Sequence, residues 1–142
     1  MPQKQILVSR RTAHFGSGEL KATFGLVRPL EVEEGLTLYF ISRSEGTFTD
    51  VVAKVRDEAP VGQDAVLDIQ ISKDDGETWD SIFPAGDANK LVIPDGSTAL
   101  VTRTTFDPDH NVIAKDDLLR IDCLQAGTTV PGKGIEVVLR WA

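Results

Sequence analysis

An apolar–polar alternation followed by a turn, at residues 65–83, is the feature that most constrains how this chain folds. From residue 67 each apolar residue is followed by a polar one, which gives the pairs Leu67-Asp68, Ile69-Gln70 and Ile71-Ser72. A period of two residues predicts a β-strand with one buried and one solvated face. Turn-forming residues occupy 73–77, and the strand pattern resumes over 78–83. The segment therefore predicts a β-hairpin.

Short strand-like segments continue along the rest of the chain, and turns rich in glycine, proline and aspartate separate them. The further predicted strands cover 36–43, 48–56, 91–93, 99–106, 118–126 and 135–141. No window shows the periodicity of an amphipathic helix. This succession of short strands predicts an all-β fold, an antiparallel β-sandwich of jelly-roll type, with a closed barrel as the second choice.

Charge is distributed unevenly between the first 30 residues and the remainder of the chain. Residues 1–30 contain five basic residues and one acidic residue, whereas residues 31–142 contain ten basic and 21 acidic residues. Such asymmetry is typical of a basic arm on an acidic body. We therefore predict a sandwich domain over 31–142. Residues 1–30 form either an extended N-terminal arm or edge strands of the sandwich, with 21–27 as the candidate strand.

The turn of the hairpin carries a recognisable motif, which reads Ser72-x-Asp74-x-Gly76-x-Thr78-Trp79. Serine and aspartate side chains accept hydrogen bonds from turn amides, and glycine adopts a positive φ without steric cost. We expect Trp79 to pack beneath the turn as a core anchor. The motif resembles the Asp-box of sialidase-type propellers, but propellers need repeats at a fixed period. A single copy in 142 residues therefore predicts a local hairpin staple and no glycosidase activity.

Two features that resemble metal-binding sequences do not satisfy the requirements for a metal site. Asp107-x-Asp109-x-Asn111 resembles the start of a calcium loop, but Val112 replaces the required glycine and Leu118 replaces the terminal glutamate. His14 and His110 lack a cysteine or histidine at ligand spacing. We expect no metal ion and no cofactor.

Catalytic motifs are also absent from the sequence. The serines lie in no nucleophile-elbow or triad context, and no phosphate loop or dinucleotide fingerprint occurs. The single cysteine, Cys123, lies in an alternating apolar segment, which predicts a buried thiol and excludes an intrachain disulfide. We therefore expect that the protein is not an enzyme.

Net charge and hydropathy exclude two classes of partner. The formal net charge is −7, which disfavours nucleic acid as a partner. No apolar run is long enough for a transmembrane helix, and the N-terminus lacks the apolar stretch of a signal peptide. We expect no membrane partner and synthesis without export.

An ordered set of phrases in the last 80 residues resembles a β-sandwich module that recurs in virion proteins of tailed bacteriophages. The phrases are Ala65–Ile71, Ser81-Ile82-Phe83, Leu91–Gly96, Asp117–Asp122 and Pro131–Leu139. In that family a glycine-aspartate pair usually precedes the fourth phrase, where this chain has Lys115-Asp116-Asp117. The resemblance covers a little over half of the chain, and residues 1–30 have no counterpart in it.

The resemblance implies a structural role in a virion, most specifically that of a capsid decoration (cement) protein on the capsid exterior. The expected partner is the major capsid protein, with homo-oligomers in which a trimer is favoured over a dimer. We expect basic and apolar residues of the N-terminal region to dock on the capsid; the candidates are Lys4, Arg10, Arg11, Phe15, Lys21 and Arg28. The alternative is a carbohydrate- or receptor-binding module of a tail fibre or baseplate, for which Tyr39 and Trp79 are the candidate aromatic contacts.

Overall fold

A computed structural model describes residues 18–24, 32 and 40–142, together with 13–16; for 13–16 and 22–24 it describes the backbone alone. These residues form β-strands and a single short 3-10 helix at Asp87–Asn89. The strands are β1 (Ala13–Gly16), β2 (Glu19–Phe24), β3 (Phe40–Ile41), β4 (Gly46–Glu58), β5 (Ala65–Ser72), β6 (Asp80–Ser81), β7 (Leu91–Ile93), β8 (Val101–Arg103), β9 (Val112–Ile113), β10 (Leu118–Gln125) and β11 (Lys133–Trp141). No helix in this part of the chain is long and apolar enough to cross a membrane.

The strands form two antiparallel sheets. The larger sheet has the order β1-β2-β11-β4-β8, and β9 pairs with β4 beyond the end of β8. The smaller sheet has the order β3-β10-β5-β6, and β7 also pairs with β5. The predicted all-β antiparallel sandwich is confirmed.

The inner faces of the two sheets supply one hydrophobic core. Alternate residues of the central strands point into it, because a strand directs successive side chains to opposite faces. The core residues of β4, β5, β10 and β11 are Phe48, Val51, Ala53, Val55, Ala65, Leu67, Ile69, Ile71, Leu119, Ile121, Cys123, Ile135, Val137, Leu139 and Trp141. The predicted burial of the Cys123 thiol is confirmed, since the residue is 1% exposed.

Aromatic residues close the core at one end of the sandwich. Phe48 lies between Phe106 and Trp141, with ring centroids 5.7 and 6.2 Å away. The Trp141 indole donates a hydrogen bond of 3.0 Å to the Ser44 hydroxyl, which also accepts one from the Gly18 amide. This end of the larger sheet is therefore tied to the turn between β1 and β2.

Part of the N-terminal region belongs to the sandwich. β2 pairs with β11 from Glu19↔Arg140 to Phe24↔Ile135, and β1 forms a hairpin with β2. The Leu20 side chain is 2% exposed within the core. Of the two alternatives for residues 1–30, the described segments 13–16 and 18–24 therefore correspond to edge strands. Residues 1–12 and 25–30 lie outside the described residues, as do 36–39 of the predicted strand 36–43.

Leu20 provides a test of whether β2 is an integral strand. Leu20→Ala removes a buried side chain from the core and should reduce the free energy of unfolding by about 2–5 kcal/mol. Leu124→Ala is the matched control, because Leu124 is 37% exposed on the smaller sheet. Urea denaturation of both variants measures the difference. Equal losses in the two variants would show that β2 contributes nothing to the core.

Candidate functional site

The hairpin turn between β5 and β6 contains the hydrogen bonds that its motif predicts. The Ser72 hydroxyl donates to the Asp74 carboxylate at 2.9 Å and accepts from the Gly76 amide at 2.8 Å. The Asp74 carboxylate also accepts from the Thr78 amide at 2.8 Å and from the Thr78 hydroxyl at 2.6 Å. Gly76 has φ 89°, a conformation that glycine adopts without steric cost. Three side chains within seven residues, together with Gly76, thus define the turn locally.

Trp79 does not occupy the core position that the sequence predicts. It lies half-buried outside the core cluster, on the outer face of the smaller sheet. Its indole nitrogen donates to the Gly76 carbonyl at 3.1 Å, and the Arg120 guanidinium lies 4.5 Å from its ring centroid. Ser81 of β6 pairs with Gln70 of β5, whose side chain points outward. Trp79 precedes Ser81 by two residues, and residues two apart in a strand face the same side, so Trp79 also points outward. The prediction of a core anchor is therefore wrong, whereas the contact with the turn is present.

The outer face of the smaller sheet carries a row of hydrogen-bonded polar side chains. The Asp68 carboxylate accepts from the Ser81 hydroxyl at 2.6 Å and from the Gln70 amide nitrogen at 2.5 Å. Although this face was predicted to be solvated, Asp68 and Ser72 are each 1% exposed. That part of the prediction is wrong, because alternation identifies the two faces but does not determine what covers each of them.

Two buried carboxylates lie opposite each other on this face. Asp68 of β5 is the register partner of Asp122 of β10, and Asp122 is 3% exposed. The Arg120 Nε lies 3.0 Å from the Asp122 carboxylate. Burial raises the pKa of Asp68, while the hydrogen bonds from Ser81 and Gln70 oppose the increase. The positive charge of the largely buried Lys90 also lowers this pKa, and the negative charge of Asp122 raises it.

We call Asp68, Gln70, Ser81, Arg120 and Asp122 the polar face cluster. Both oxygens of Asp68 accept hydrogen bonds from side chains of the cluster, and Asp122 is paired with Arg120. Carboxylates that act in acid–base catalysis must reach a substrate, and these two are almost completely buried. The arrangement therefore supports a structural role, in which charged groups are retained on a covered sheet face by mutual pairing.

In the loop at 107–111, the Asp107 carboxylate binds groups of the loop itself. One Asp107 oxygen accepts from the Asp109 amide at 2.9 Å, and the other lies 3.2 Å from the His110 Nδ1. The Asp109 amide, and then His110, hold the pKa of Asp107 below its ordinary value. Across the described residues, no three His, Cys, Asp or Glu side chains are grouped as ligands of a metal ion.

The candidate docking residues lie mostly outside the described residues, as Lys4, Arg10, Arg11 and Arg28 do. Phe15 belongs to β1, where its backbone pairs with Leu20. The Lys21 ammonium lies 3.8 Å from the Glu136 carboxylate on the outer face of the larger sheet, and Arg56 lies 3.0 Å from the same carboxylate. Lys21 therefore belongs to a surface ion-pair group, and surface ion pairs each contribute little stability.

The sequence alone did not mark Ser81, Arg120 and Asp122 as members of one cluster. The alternation of β5 and β10 does indicate that the two carboxylates lie on the face opposite the core, since Asp68 and Asp122 each lie between apolar residues. Only the register of β5 with β10, and of β5 with β6, brings these residues together.

Comparisons with known proteins provide little further information. No protein-family model matches the chain, and no curated protein matches it. A solved structure of a xylan-binding module CBM15 is similar at 20% sequence identity with a TM-score of 0.36, over 93% of this chain and 76% of that chain. A likeness at this level carries no inference about the ligand of this chain.

Asp74 makes the stability of the hairpin depend on pH. Hydrogen bonds from the Thr78 hydroxyl, the Thr78 amide and Ser72 lower the pKa of Asp74 below its ordinary value of 3.8. A carboxyl group with a lowered folded-state pKa stabilises the fold above its unfolded pKa, and this stabilisation is lost as pH falls through the folded value. Asp74→Asn should therefore destabilise the protein most near neutral pH and progressively less at more acidic pH.

Urea denaturation of wild type and Asp74→Asn across the acidic range measures this effect. Asp75→Asn is the control, because it removes the same charge from the same turn at a residue with φ 60°, which asparagine tolerates. A stability difference for Asp74→Asn that stays constant or grows as pH falls would contradict the assigned hydrogen bonds.

The two tryptophans should differ in their contribution to stability. Trp141 is 5% exposed within the core, so Trp141→Ala should cost about 3–5 kcal/mol. Trp79→Ala removes a half-buried surface ring and should cost about 1–2 kcal/mol. Parallel denaturation curves measure both losses. A loss for Trp79→Ala as large as that for Trp141→Ala would restore Trp79 to the role of a core anchor.

Proposed function

We propose that this protein is a structural component of a tailed-bacteriophage virion, a decoration protein that binds the outer surface of the capsid. The phrases that resemble the virion module correspond to strands of a single sandwich. They overlap β5, β6, β7, β10 and β11, which include both central strands of the smaller sheet. Each segment that resembles the virion module therefore includes residues of a strand, as expected when a whole sandwich module is shared.

The observation that carries the proposal is the position of positive charge ahead of β1. Residues 1–12 contain Lys4, Arg10 and Arg11 and no acidic residue. β1 begins at Ala13 and lies at the edge of the larger sheet. A basic segment attached to the edge of an acidic sandwich is suited to bind an acidic surface, because complementary charge speeds encounter and fixes orientation. The docking segment proposed here is thus residues 1–12, shorter than the 30-residue region defined by charge alone.

The alternative, a carbohydrate- or receptor-binding module, has less support from the contacts. Sugar-binding sites commonly use the open face of an aromatic ring. Tyr39 lies outside the described residues, and the Trp79 ring has the Arg120 guanidinium over one of its faces. We also propose that the protein is not an enzyme, since the candidate acid–base groups of the polar face cluster are committed to one another.

Capsid binding by charge-reversed variants tests the proposal. The Lys4→Glu/Arg10→Glu/Arg11→Glu variant should lose binding to purified undecorated capsids by roughly tenfold or more, because three favourable charge interactions become repulsive. Wild-type binding should weaken as salt concentration rises, since ions screen exposed charges over about 8–10 Å. Cosedimentation with capsids measures both effects, and thermal denaturation verifies that the variants are folded.

A matched control changes the same net charge elsewhere. Arg43, Lys115 and Lys133 lie in the sandwich on the described surface, and their triple substitution by Glu should leave binding largely intact. Full affinity in the N-terminal variant would show that residues 1–12 are not the docking segment. Failure of the wild-type protein to bind any capsid surface would overturn the proposed function itself.

A further inference from the structure

Two aspartate–glycine steps, Asp75-Gly76 and Asp95-Gly96, lie in turns of the sandwich. At such a step the backbone nitrogen of the glycine can attack the side-chain carboxyl carbon of the aspartate, because a residue without Cβ leaves room for the approach. The attack closes a five-membered succinimide ring, and hydrolysis of the ring yields aspartate or isoaspartate. Both glycines have a positive φ, 89° at Gly76 and 72° at Gly96. The surroundings of the two steps therefore determine which of them reacts.

The step at Asp95 is held by hydrogen bonds to the loop that precedes β5. The Asp95 carboxylate accepts from the Gly62 amide at 3.0 Å. The Asp95 amide donates to the Asp64 carboxylate at 2.8 Å, and the Gly96 amide donates to the Pro60 carbonyl at 2.7 Å. Both reacting groups are thus bound to a distant part of the chain. Ring closure at Asp95 requires that these tertiary bonds break.

The step at Asp75 has only local restraints. Asp75 is exposed, and its carboxylate forms no hydrogen bond and no ion pair with any residue that the structure describes. Its φ of 60° is a left-handed conformation that is unfavourable for a residue with a side chain. The Gly76 amide donates to the Ser72 hydroxyl at 2.8 Å, and the Gly76 carbonyl accepts from the Trp79 indole at 3.1 Å. These bonds join residues at most four positions apart, so the turn can open while the sheets stay paired.

We infer that Asp75 is a site of spontaneous isoaspartate formation in the folded protein, whereas Asp95 is protected. In a folded chain the rate depends on how often the carboxyl carbon meets the next backbone nitrogen, and local opening of the turn sets that frequency. At Asp75 the carboxylate is already exposed, and opening breaks one local bond of the attacking nitrogen. At Asp95 both the carboxylate and the nitrogen must leave tertiary partners.

The reaction balances with water alone. The Gly76 nitrogen forms a bond to the Asp75 Cγ and loses its proton, and one carboxyl oxygen leaves as water. A water molecule then adds to the main-chain carbonyl carbon of Asp75, which breaks the original peptide bond and leaves the chain running through Cγ. The mass of the product equals that of the starting protein. No other co-reactant is needed, and the reaction does not depend on the proposed capsid role.

Isoaspartate at residue 75 should disturb the turn. It adds one carbon atom to the main chain and moves the carboxylate onto Cα. The Gly76 amide and carbonyl then lose their positions relative to the Ser72 hydroxyl and the Trp79 indole, to which they are bonded in the unmodified turn. Conversion therefore weakens the hairpin between β5 and β6.

Peptide mapping of the folded protein after prolonged incubation near neutral pH tests the inference. Isoaspartate has the same mass as aspartate, so electron-transfer fragmentation, which gives isoaspartate distinct backbone fragments, identifies it in each peptide. It should accumulate roughly tenfold or more faster at residue 75 than at residue 95, because local opening is more frequent than the loss of tertiary contacts. Equal rates, or faster conversion of Asp95, would overturn the inference.

Two controls separate the effect of the fold from that of the sequence. In concentrated urea both turns are lost, and the two steps should convert at similar rates. Conversion of Asp75 in urea but not in the folded protein would show that the native turn protects it, and would also overturn the inference. Asp75→Glu keeps the negative charge but requires a six-membered ring, which closes far more slowly. It should abolish conversion at residue 75 and leave residue 95 unchanged.

Urea denaturation of fresh and aged samples measures the effect on the turn. Aged wild type should be less stable than fresh wild type, whereas aged and fresh Asp75→Glu should be equal. Unchanged stability in a sample that contains isoaspartate at residue 75 would contradict the assigned loss of the Gly76 bonds.

Discussion

The register between β5 and β10 is the constraint on which both faces of the smaller sheet depend. It pairs Ile71 with Leu119, Ile69 with Ile121 and Leu67 with Cys123 on the inner face. The same register pairs Gln70 with Arg120 and Asp68 with Asp122 on the outer face. Because side chains alternate between faces, a shift of one residue would exchange the core residues of one strand for its charged residues. One set of backbone pairings thus decides the hydrophobic core and the polar face cluster together.

Because Asp68 and Asp122 are buried, the outer face of the smaller sheet requires specific partners for its charged groups, which an ordinary solvated sheet surface does not. A buried charge is costly unless a partner and hydrogen bonds compensate it. Asp68 receives hydrogen bonds from Gln70 and Ser81, and Asp122 is paired with Arg120. Removing Gln70 or Ser81 would take one hydrogen bond from the buried Asp68 carboxylate, and a bond lost by a buried group costs more than it contributes when intact. The cluster therefore favours the native register over shifted ones, in addition to the contribution of the core.

The edges of the larger sheet differ in how they are completed. At one edge, β1 and β2 extend the sheet beyond β11, and Leu20 joins the core. At the other edge, β8 and β9 lie end to end along β4 and leave backbone groups open to a further strand. The proposed basic docking segment precedes β1, whereas residues 97–106, in which Arg103 is the one charged residue, lie at the β8 edge. The two edges of this sheet thus differ in the charge of the chain segments beside them.

The sequence by itself determined the features that arise from neighbouring residues. Alternation located β5, β10 and β11, and the Ser72–Trp79 motif specified its turn, because the hydrogen bonds of that turn join residues at most four positions apart. Only the tertiary structure decided that Asp68 and Ser72 are buried, that Trp79 lies on the outer face against Arg120, and that Leu20 belongs to the core. Each of these outcomes depends on pairing between segments far apart in the chain. Alternation assigns residues to two faces of a strand, but the partners of that strand determine which groups cover each face.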